Sequence, residues 1–182
     1  MSILEKLRTE IALAIHERGN LACLNLIYID LDRFIYHNDS FGHASGDAAL
    51  NKILGALLVL SEEFCAKVTR VGGDEFMLYS LSSSFDSHIE LGKKAQTCIH
   101  ELGIPLVYDG YNDGSIAFPK HITCSVAAAS YPIQCIDSDY QGESDLMIKE
   151  SIVDGLIKLL DTMLWLSKCS KTGNFVKINL CQ

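Results

Sequence analysis

Apolar residues along this chain recur either at helical spacing or in short continuous runs, which predicts a mixture of helices and buried strands. Near the N-terminus, apolar positions three and four residues apart predict an amphipathic helix that ends at Gly19 and Asn20. Residues 21–29 are almost wholly apolar and are typical of a buried strand. Two acids, Asp30 and Asp32, follow directly where that strand is predicted to stop.

The middle of the chain combines two helical patterns with a hairpin pattern. A short helix is predicted over residues 33–39, a turn over 42–46 and a longer helix over 47–60. Strands predicted over residues 66–71 and 76–81 flank Gly72 and Gly73, and we expect a tight β-hairpin turn with positive φ there. Asp74 and Glu75 would then lie at or just past the tip of this hairpin.

The remaining pattern predicts two helices, two strands, an extra hairpin and the overall order. We expect a helix over residues 86–102, an extra hairpin near 104–120, strands over 121–129 and 175–180, and a long helix over 144–168. The resulting order, α-β-α-α-β-β-α-β-α-β, contains no internal repeat. It favours one antiparallel or mixed sheet with helices packed on it.

Composition narrows the class of protein. The 182 residues, 48% hydrophobic and 21% charged, suit a single globular domain spanning residues 1–182, with a helix over residues 1–20 preceding the rest. The net charge of −8 and scattered basic residues argue against binding to a nucleic acid polymer or a membrane. The seven cysteines form no CxxC pair and are odd in number, which excludes a complete disulfide framework. Neither a signal peptide nor an apolar run of membrane-spanning length is apparent, so we expect a cytoplasmic protein.

The acidic clusters suggest metal chemistry. Magnesium prefers hard oxygen ligands and commonly combines one or two carboxylates with waters and substrate phosphates. Asp30 and Asp74, each predicted at the end of a strand, would supply such carboxylates. Taken alone, the Gly-Gly-Asp-Glu turn also fits a solvated hairpin, and Asn38 and Asp47 also fit helix N-caps.

Two ordered motifs decide between these interpretations. Residues 70–76 read Arg-Val-Gly-Gly-Asp-Glu-Phe. The stretch from residue 30 to residue 47 reads Asp-Leu-Asp-Arg-Phe, then Asn-Asp, Gly-His and Gly-Asp at fixed spacing. Together they resemble the GGDEF family, the diguanylate cyclases that make cyclic di-GMP from two GTP molecules. The resemblance is strong over residues 24–81 and weaker toward the C-terminus.

The resemblance implies a fold and a set of roles. The fold would be α/β (α+β), with a palm-like or ferredoxin-like central mixed, mostly antiparallel sheet flanked by helices, as in nucleotidyl cyclases. Magnesium or manganese would be bound by Asp30, Asp74, Glu75 and the carbonyl of Leu31, and the three acids would be catalytic. Two protomers would each present one GTP, as a homodimer during catalysis. The implied substrate-binding residues are Asn38 and Asp47, which would read guanine, Lys168, which would meet the triphosphate, and Phe34, Gly72 and Gly73.

Several positions depart from the family pattern. The family's Lys after the Phe of the first motif is Ile35 here, and the Arg after the last-helix Lys is Thr172, beside Lys171. The family's inhibitory product site falls on Glu63 to Ala66, where its Arg and Asp are absent. The family's opening motif, Asp-x-Leu-Thr-Gly-Leu-x-Asn-Arg, is also missing.

These observations leave three interpretations. The leading one is a diguanylate cyclase that condenses two GTP into cyclic di-GMP and pyrophosphate. The second is a weak or inactive module that binds GTP or a protein partner. The third is a related palm polymerase of the CRISPR-associated kind, against which the guanine-reading positions Asn38 and Asp47 weigh.

Overall fold

The computed structural model describes residues 2–18, 23–82, 87–107, 120–133, 144–170 and 175–179. Within these residues the elements follow the order that the hydrophobic pattern predicts. They are α1 (Ile3–Arg18), β1 (Cys23–Leu31), α2 (Phe34–Phe41), α3 (His43–Glu63), β2 (Lys67–Arg70), β3 (Glu75–Ser82), α4 (Ser87–Glu101), β4 (Cys124–Pro132), α5 (Ser144–Ser170) and β5 (Phe175–Asn179).

The five strands form one sheet in the order β2-β3-β1-β4-β5. Strand β1 pairs antiparallel with both β3 and β4, and β2 pairs antiparallel with β3. Only the pairing between β4 and β5 is parallel. The sheet is therefore mixed and mostly antiparallel, as the sequence predicts, and β1 lies at its centre.

Each face of the sheet is covered by a separate hydrophobic core, because successive strand side chains point to opposite faces. On one face, Ile27, Ile29 and Leu31 of β1 pack with α2, α3 and α4. On the other, Leu24, Leu26 and Tyr28 pack with α1 and α5. The residues of β1 thus alternate between two cores, so the side chain of Asp30 follows Tyr28 toward the α1/α5 face.

One prediction about the helices is wrong, and one alternative interpretation is excluded. Residues 42–46 do not form a turn, because Gly42 alone separates α2 from α3, with φ of +83°. The amides of Ser45 and Gly46 then donate to the Gly42 carbonyl and begin α3. Asn38 consequently lies inside α2 and Asp47 inside α3, so neither residue is an N-cap.

The predicted extra hairpin falls largely on residues 108–119, which lie outside the described part of the chain. Its two ends are described and are paired. Pro105 and His121 form an antiparallel bridge, and the Leu106 amide donates to the Lys120 carbonyl at 2.9 Å. The two ends of this segment therefore meet in the antiparallel arrangement that a hairpin requires.

Helix α3 is long and apolar enough to cross a membrane by length and composition, and it is the only described helix of which this is true. It is also a core helix, since Leu50, Ile53 and Leu57 are buried against the sheet. Core helices of globular proteins satisfy the same criterion, so this feature is weak support for a membrane segment. The side chains of Cys23, Cys65, Cys98 and Cys124 are free thiols.

Candidate functional site

The two acidic motifs meet at one end of the sheet. Asp30, the penultimate residue of β1, stands opposite Glu75, the first residue of β3. The Leu31 amide donates to the Asp74 carbonyl at 3.1 Å, which fixes the hairpin to the end of β1. On the other side, the Asp32 amide donates to the Thr123 carbonyl at 2.8 Å. The predicted convergence of the acids from β1 and the hairpin is therefore present in the structure.

The turn between β2 and β3 comprises residues 71–74 and is held from within. The Arg70 guanidinium donates to the carbonyl of Gly72 at 3.2 Å and to that of Gly73 at 2.6–3.0 Å. The prediction of positive φ at Gly72 and Gly73 is wrong, because among the described residues the glycines with positive φ are Gly42 and Gly103. Gly72 is required for space instead, since a Cβ there would lie 2.1 Å from the Glu75 carboxylate.

A cavity of about 410 Å³ opens beside this turn, on the face covered by α2 and α3. It brings together residues from three elements that are separated in the sequence. Its lining consists of Phe34, Ile35 and Asn38 from α2, His43, Gly46, Asp47 and Leu50 from α3, and Arg70, Gly73 and Asp74 from the hairpin. The cavity thus contains Phe34, Asn38, Asp47, Gly73 and Asp74, five of the residues predicted to form the site.

Asn38 is fitted closely against α3. Its side-chain oxygen is buried and has no hydrogen-bond partner among the described residues. The helix can approach because position 46 is glycine, where a Cβ would lie 1.8 Å from that oxygen. The neighbouring His37 joins the same elements, with Nδ1 2.8 Å from the Pro105 carbonyl and Nε2 3.2 Å from the Ser45 hydroxyl. The position of Asn38 therefore depends on the packing of α2 on α3.

The carboxylates of Asp30 and Glu75 face the opposite side of the sheet, toward α5. Burial raises the pKa of both carboxyl groups, and the negative charges of the neighbouring acids raise it further. Tyr28 lies diagonally across the ladder from Glu75 on the same face, and burial raises the pKa of its phenol above the ordinary value. The site therefore concentrates negative charge in a half-buried position.

One cation of α5 reaches this group of acids. The Lys168 ammonium forms an ion pair with Oδ1 of Asp30, with side-chain exposures of 35% and 21%. Asp32 has different partners, since its two carboxylate oxygens each accept a hydrogen bond at 2.7 Å, from the hydroxyls of Thr123 and Ser125. Asp32 is thus held by the neighbouring β4 region, whereas Asp30 is held by a flexible lysine.

Sequence reasoning missed Arg70, His43 and Gly46 as parts of the site. Arg70 lies just before the glycines of the hairpin motif, and this position in the sequence could have identified it as part of the site. His43 was interpreted as a turn residue, but it begins α3 and lines the cavity. Gly46 was assigned to a turn, and the sequence carries no local sign of its contact with Asn38.

Among the positions that depart from the family pattern, Ile35 and Glu63 are described. Ile35 is 64% exposed and lines the cavity where the pattern places a cation. Glu63 forms an ion pair with Lys94, whose ammonium also lies 4.9 Å from the centre of the Phe64 ring. Lys171 and Thr172 lie outside the described residues. The region of the missing inhibitory site therefore carries an internal ion pair.

In the described part of the chain, no three His, Cys, Asp or Glu side chains are arranged as a complete metal site. The carbonyl of Leu31 lies beside Asp30 at the end of β1, where the sequence predicts a backbone ligand. A magnesium ion that also binds phosphates and water requires only one or two protein carboxylates. The neighbouring carboxylates of Asp30 and Glu75, beside Asp74, match the number of ligands that such an ion would need.

A mixed, mostly antiparallel sheet with an acidic hairpin beside a cavity that Asn38 and Asp47 line defines a palm-like domain of nucleotidyl-cyclase type. A family model described as "Diguanylate cyclase, GGDEF domain" matches residues 2–134. The chain belongs to the GGDEF domain family of diguanylate cyclases.

Comparison with individual proteins agrees with this assignment. The diguanylate cyclase DgcP of Escherichia coli K12 is 34% identical over 126 residues, which cover 67% of this chain and 36% of that protein. The cyclic di-GMP phosphodiesterase PdeR of the same organism is 29% identical over 107 residues, or 57% of this chain and 16% of that protein. The chain thus matches about a third or less of the length of these relatives.

A solved structure, the active GGEEF domain of a diguanylate cyclase from Vibrio cholerae, superimposes with a TM-score of 0.64. The alignment covers 97% of this chain and 96% of that one, at 22% identity. At this identity the likeness shows the fold alone. It extends the match beyond residue 134, where the family model ends, to almost the whole chain.

Proposed function

We propose that this chain is a diguanylate cyclase that condenses two GTP molecules into cyclic di-GMP and two pyrophosphates. The observation that carries the proposal is the cavity in which Asn38 and Asp47, from two helices, face the hairpin that bears Asp74. An amide and a carboxylate together complement guanine, because the carboxylate accepts from N1–H and the exocyclic amine, which adenine does not offer in that pattern.

The protein residues divide the work between the base and the phosphates. Asn38 and Asp47 hold the base, Phe34 lines the same cavity, and Gly72 and Gly73 keep the turn free of side chains beside the phosphates. Asp30, Asp74, Glu75 and the Leu31 carbonyl would hold magnesium or manganese. Bound there, the metal would activate the 3′-hydroxyl and stabilise the negative charge that develops on the phosphates.

The condensation balances only if two GTP molecules react with each other. Each 3′-hydroxyl oxygen attacks the α-phosphate of the other GTP, each attack releases one pyrophosphate, and each hydroxyl proton passes to a base, for which Glu75 is our candidate. One cavity of this size holds one nucleotide, so two protomers would face each other during catalysis. We propose that this takes place in the cytoplasm, where GTP is available.

The test is a turnover assay with GTP and magnesium, followed by mass spectrometry of the products. Cyclic di-GMP formation that disappears in Asp74→Asn would support the proposal. Failure to form any dinucleotide over a wide range of protein and metal concentrations would contradict it. Preference for ATP over GTP in a mixed reaction would instead favour a related palm polymerase.

One observation favours a second function, a module that binds GTP without converting it. The phosphate side of the cavity presents the exposed apolar Ile35 where the family pattern has a lysine, and Lys168 is paired with Asp30. Each missing charge-assisted hydrogen bond weakens phosphate binding by about 1.5–3 kcal/mol. Saturable GTP binding that leaves the nucleotide unchanged would support this second function.

A further inference from the structure

The ion pair between Lys168 and Asp30 joins the candidate metal site to the far end of the chain. Lys168 lies near the C-terminal end of α5, and Asp30 lies near the end of the central strand β1. Both side chains remain partly accessible, at 35% and 21%. A lysine side chain is long and flexible, and its ammonium is strongly hydrated, so it can leave this position without disturbing the helix.

The surroundings explain why a cation is needed at this point. Asp30 lies close to Asp32, Asp74 and Glu75, and Asp161, two turns before Lys168 on α5, adds a further negative charge. Carboxylates crowded in a half-buried position repel one another, and an ammonium in contact with one of them offsets part of that repulsion. Lys168 therefore performs electrostatically what a bound metal ion would perform more strongly.

We propose that Lys168 is the resident counter-ion of Asp30, and that it leaves this carboxylate when a divalent cation binds there. The inference rests on the metal site of the proposed function. A carboxylate oxygen in contact with an ammonium is not free to ligate a metal, and two cations within a few ångströms of each other repel. A metal that binds Asp30 through Oδ1, the oxygen that Lys168 contacts, therefore displaces Lys168.

This exchange links the metal to the nucleotide. Without nucleotide, displacing Lys168 costs free energy, which weakens metal binding. With nucleotide present, the displaced ammonium gains the phosphates as a new partner, so the two ligands bind with positive coupling. Lys168 would thus disfavour loading of metal alone and favour joint loading of metal and nucleotide.

The test measures Mn²⁺ binding to nucleotide-free protein by electron paramagnetic resonance, comparing wild type with Lys168→Met. Methionine keeps most of the apolar stem and removes the charge. We expect Lys168→Met to bind Mn²⁺ about tenfold more tightly, since removing a competing ion pair of about 1.4 kcal/mol changes a binding constant tenfold. A GTP analogue with a methylene between the α- and β-phosphates should tighten Mn²⁺ binding to wild type more than to the variant.

Lys158→Met is the matched control. Lys158 also lies on α5 and pairs with an acid, Asp154 at 2.7 Å, but it is 76% exposed and contacts none of the proposed metal ligands. Its loss should change Mn²⁺ affinity less than twofold, a margin well below the expected tenfold effect. Melting temperatures measured in EDTA check that both variants fold.

Equal or weaker Mn²⁺ binding by Lys168→Met would overturn the inference. A wild type and a variant that both fail to bind Mn²⁺ would overturn it together with the metal site. The measurement needs no turnover, so the two proposals can fail separately. Tighter Mn²⁺ binding by the variant, in a protein that makes no cyclic di-GMP, would support the lysine exchange and contradict the cyclase.

Discussion

The two sides of the candidate site are built in different ways. On the α2/α3 face, the base side consists of short side chains held by helix packing, with Asn38 fitted against Gly46 and His37 joining α2 to the Pro105 carbonyl. On the α5 face, the charge on Asp30 is offset by one long, partly exposed lysine. The proposed base recognition would thus rest on a fixed shape, whereas charge compensation rests on one long, partly exposed side chain.

The same division between the two sides of the site appears in the match to the family model. All the cavity residues fall within residues 2–134, the range that the family model matches, and Lys168 falls beyond it. Within the described residues, the exposed Ile35 is the one departure from the family pattern that lines the cavity, and it replaces a cation. The difference teaches that the proposed base-binding residues and the counter-ion of Asp30 lie in different parts of the chain, so a change in one can leave the other intact. Four predictions test this division.

The largest effect is expected for Asp74→Asn. If Asp74 is a metal ligand, the substitution should lower the rate of cyclic di-GMP formation by about 10³-fold, which corresponds to about 4 kcal/mol of transition-state stabilisation. The fold should persist, because the backbone carbonyl of Asp74, not its side chain, accepts the Leu31 hydrogen bond. Unchanged binding of a GTP analogue in the absence of metal, together with an unchanged melting temperature, would localise the loss to the metal. A variant that retains full turnover would show that Asp74 is not a ligand.

The next effect concerns the base side. In Gly46→Ala, the added methyl would lie 1.8 Å from the Asn38 side-chain oxygen and would force that side chain out of place. Losing one good polar contact with guanine should weaken binding of a GTP analogue by about ten- to a hundredfold, measured by calorimetry.

Gly55→Ala serves as its control. Gly55 lies in the same helix, and a Cβ there meets nothing within 4 Å. This change should leave nucleotide binding intact and stabilise the protein by about 0.5–1 kcal/mol, because alanine favours the helix. Equal effects of the two substitutions on binding would show that α3 as a whole, and not the fit to Asn38, determines affinity.

On the phosphate side of the cavity, we expect one substitution to strengthen nucleotide binding. Ile35 is exposed and lines the cavity, so Ile35→Lys can place an ammonium there without disturbing the core. It should tighten binding of a GTP analogue about tenfold or more, as one added charge-assisted hydrogen bond would. The gain should shrink as the salt concentration rises. Ile35→Gln introduces a polar side chain of similar length without a charge, so it should tighten binding of the GTP analogue only slightly. An equal gain in affinity from Gln and Lys would show that the shape of the side chain, and not its charge, is responsible.

The smallest effect concerns the scaffold that both sides share. Glu10 of α1 accepts hydrogen bonds from Lys67 of β2 at 2.6 Å and from the hydroxyl of Tyr79 at 3.0 Å. These donors, Lys67 foremost, lower the pKa of Glu10 below its ordinary value of 4.5. A group with a lowered folded-state pKa stabilises the protein above 4.5 and loses that contribution as pH falls through the lowered value.

Because the pair is partly exposed, Glu10→Gln should reduce the free energy of unfolding at pH 7 by no more than about 1 kcal/mol. Urea denaturation at pH 7 and in mild acid measures the difference, which should shrink in acid, where Glu10 of the wild type becomes protonated. Glu17→Gln, at an exposed acid of the same helix, is the control. If the difference in the free energy of unfolding between wild type and Glu10→Gln grew in acid, it would contradict the lowered pKa of Glu10.

The sequence predicted the elements and the convergence of the acids because both depend on local patterns. One apolar run ends at Asp30, and another begins just after Glu75. These runs form neighbouring antiparallel strands, so the end of the first lies beside the start of the second. The pattern failed at residues 42–46, since His43, Ala44, Ser45 and Gly46 carry no apolar periodicity, and so the first turn of α3 was not recognised. The turn at Gly72 is predicted correctly, but the predicted reason for glycine at this position, a positive φ, is wrong.

The contacts that complete the site could not be predicted, because they join distant residues through side-chain geometry. Nothing in the sequence near Lys168 indicates that its ammonium reaches Asp30, 138 positions earlier in the chain. The same holds for Asn38 and Gly46, whose contact depends on the angle between two helices. Motifs specify which residues are present, whereas the packing of whole elements determines which of them touch.

The glycines at positions 46 and 72 have a consequence for how this domain can change over generations. Each leaves room for one oxygen of another residue, that of Asn38 at position 46 and that of Glu75 at position 72. A mutation at either glycine therefore damages a partner that is itself unchanged, and a shorter side chain at the partner position would relieve the clash. The two motifs should thus vary as pairs of positions, 38 with 46 and 72 with 75, and not as independent letters.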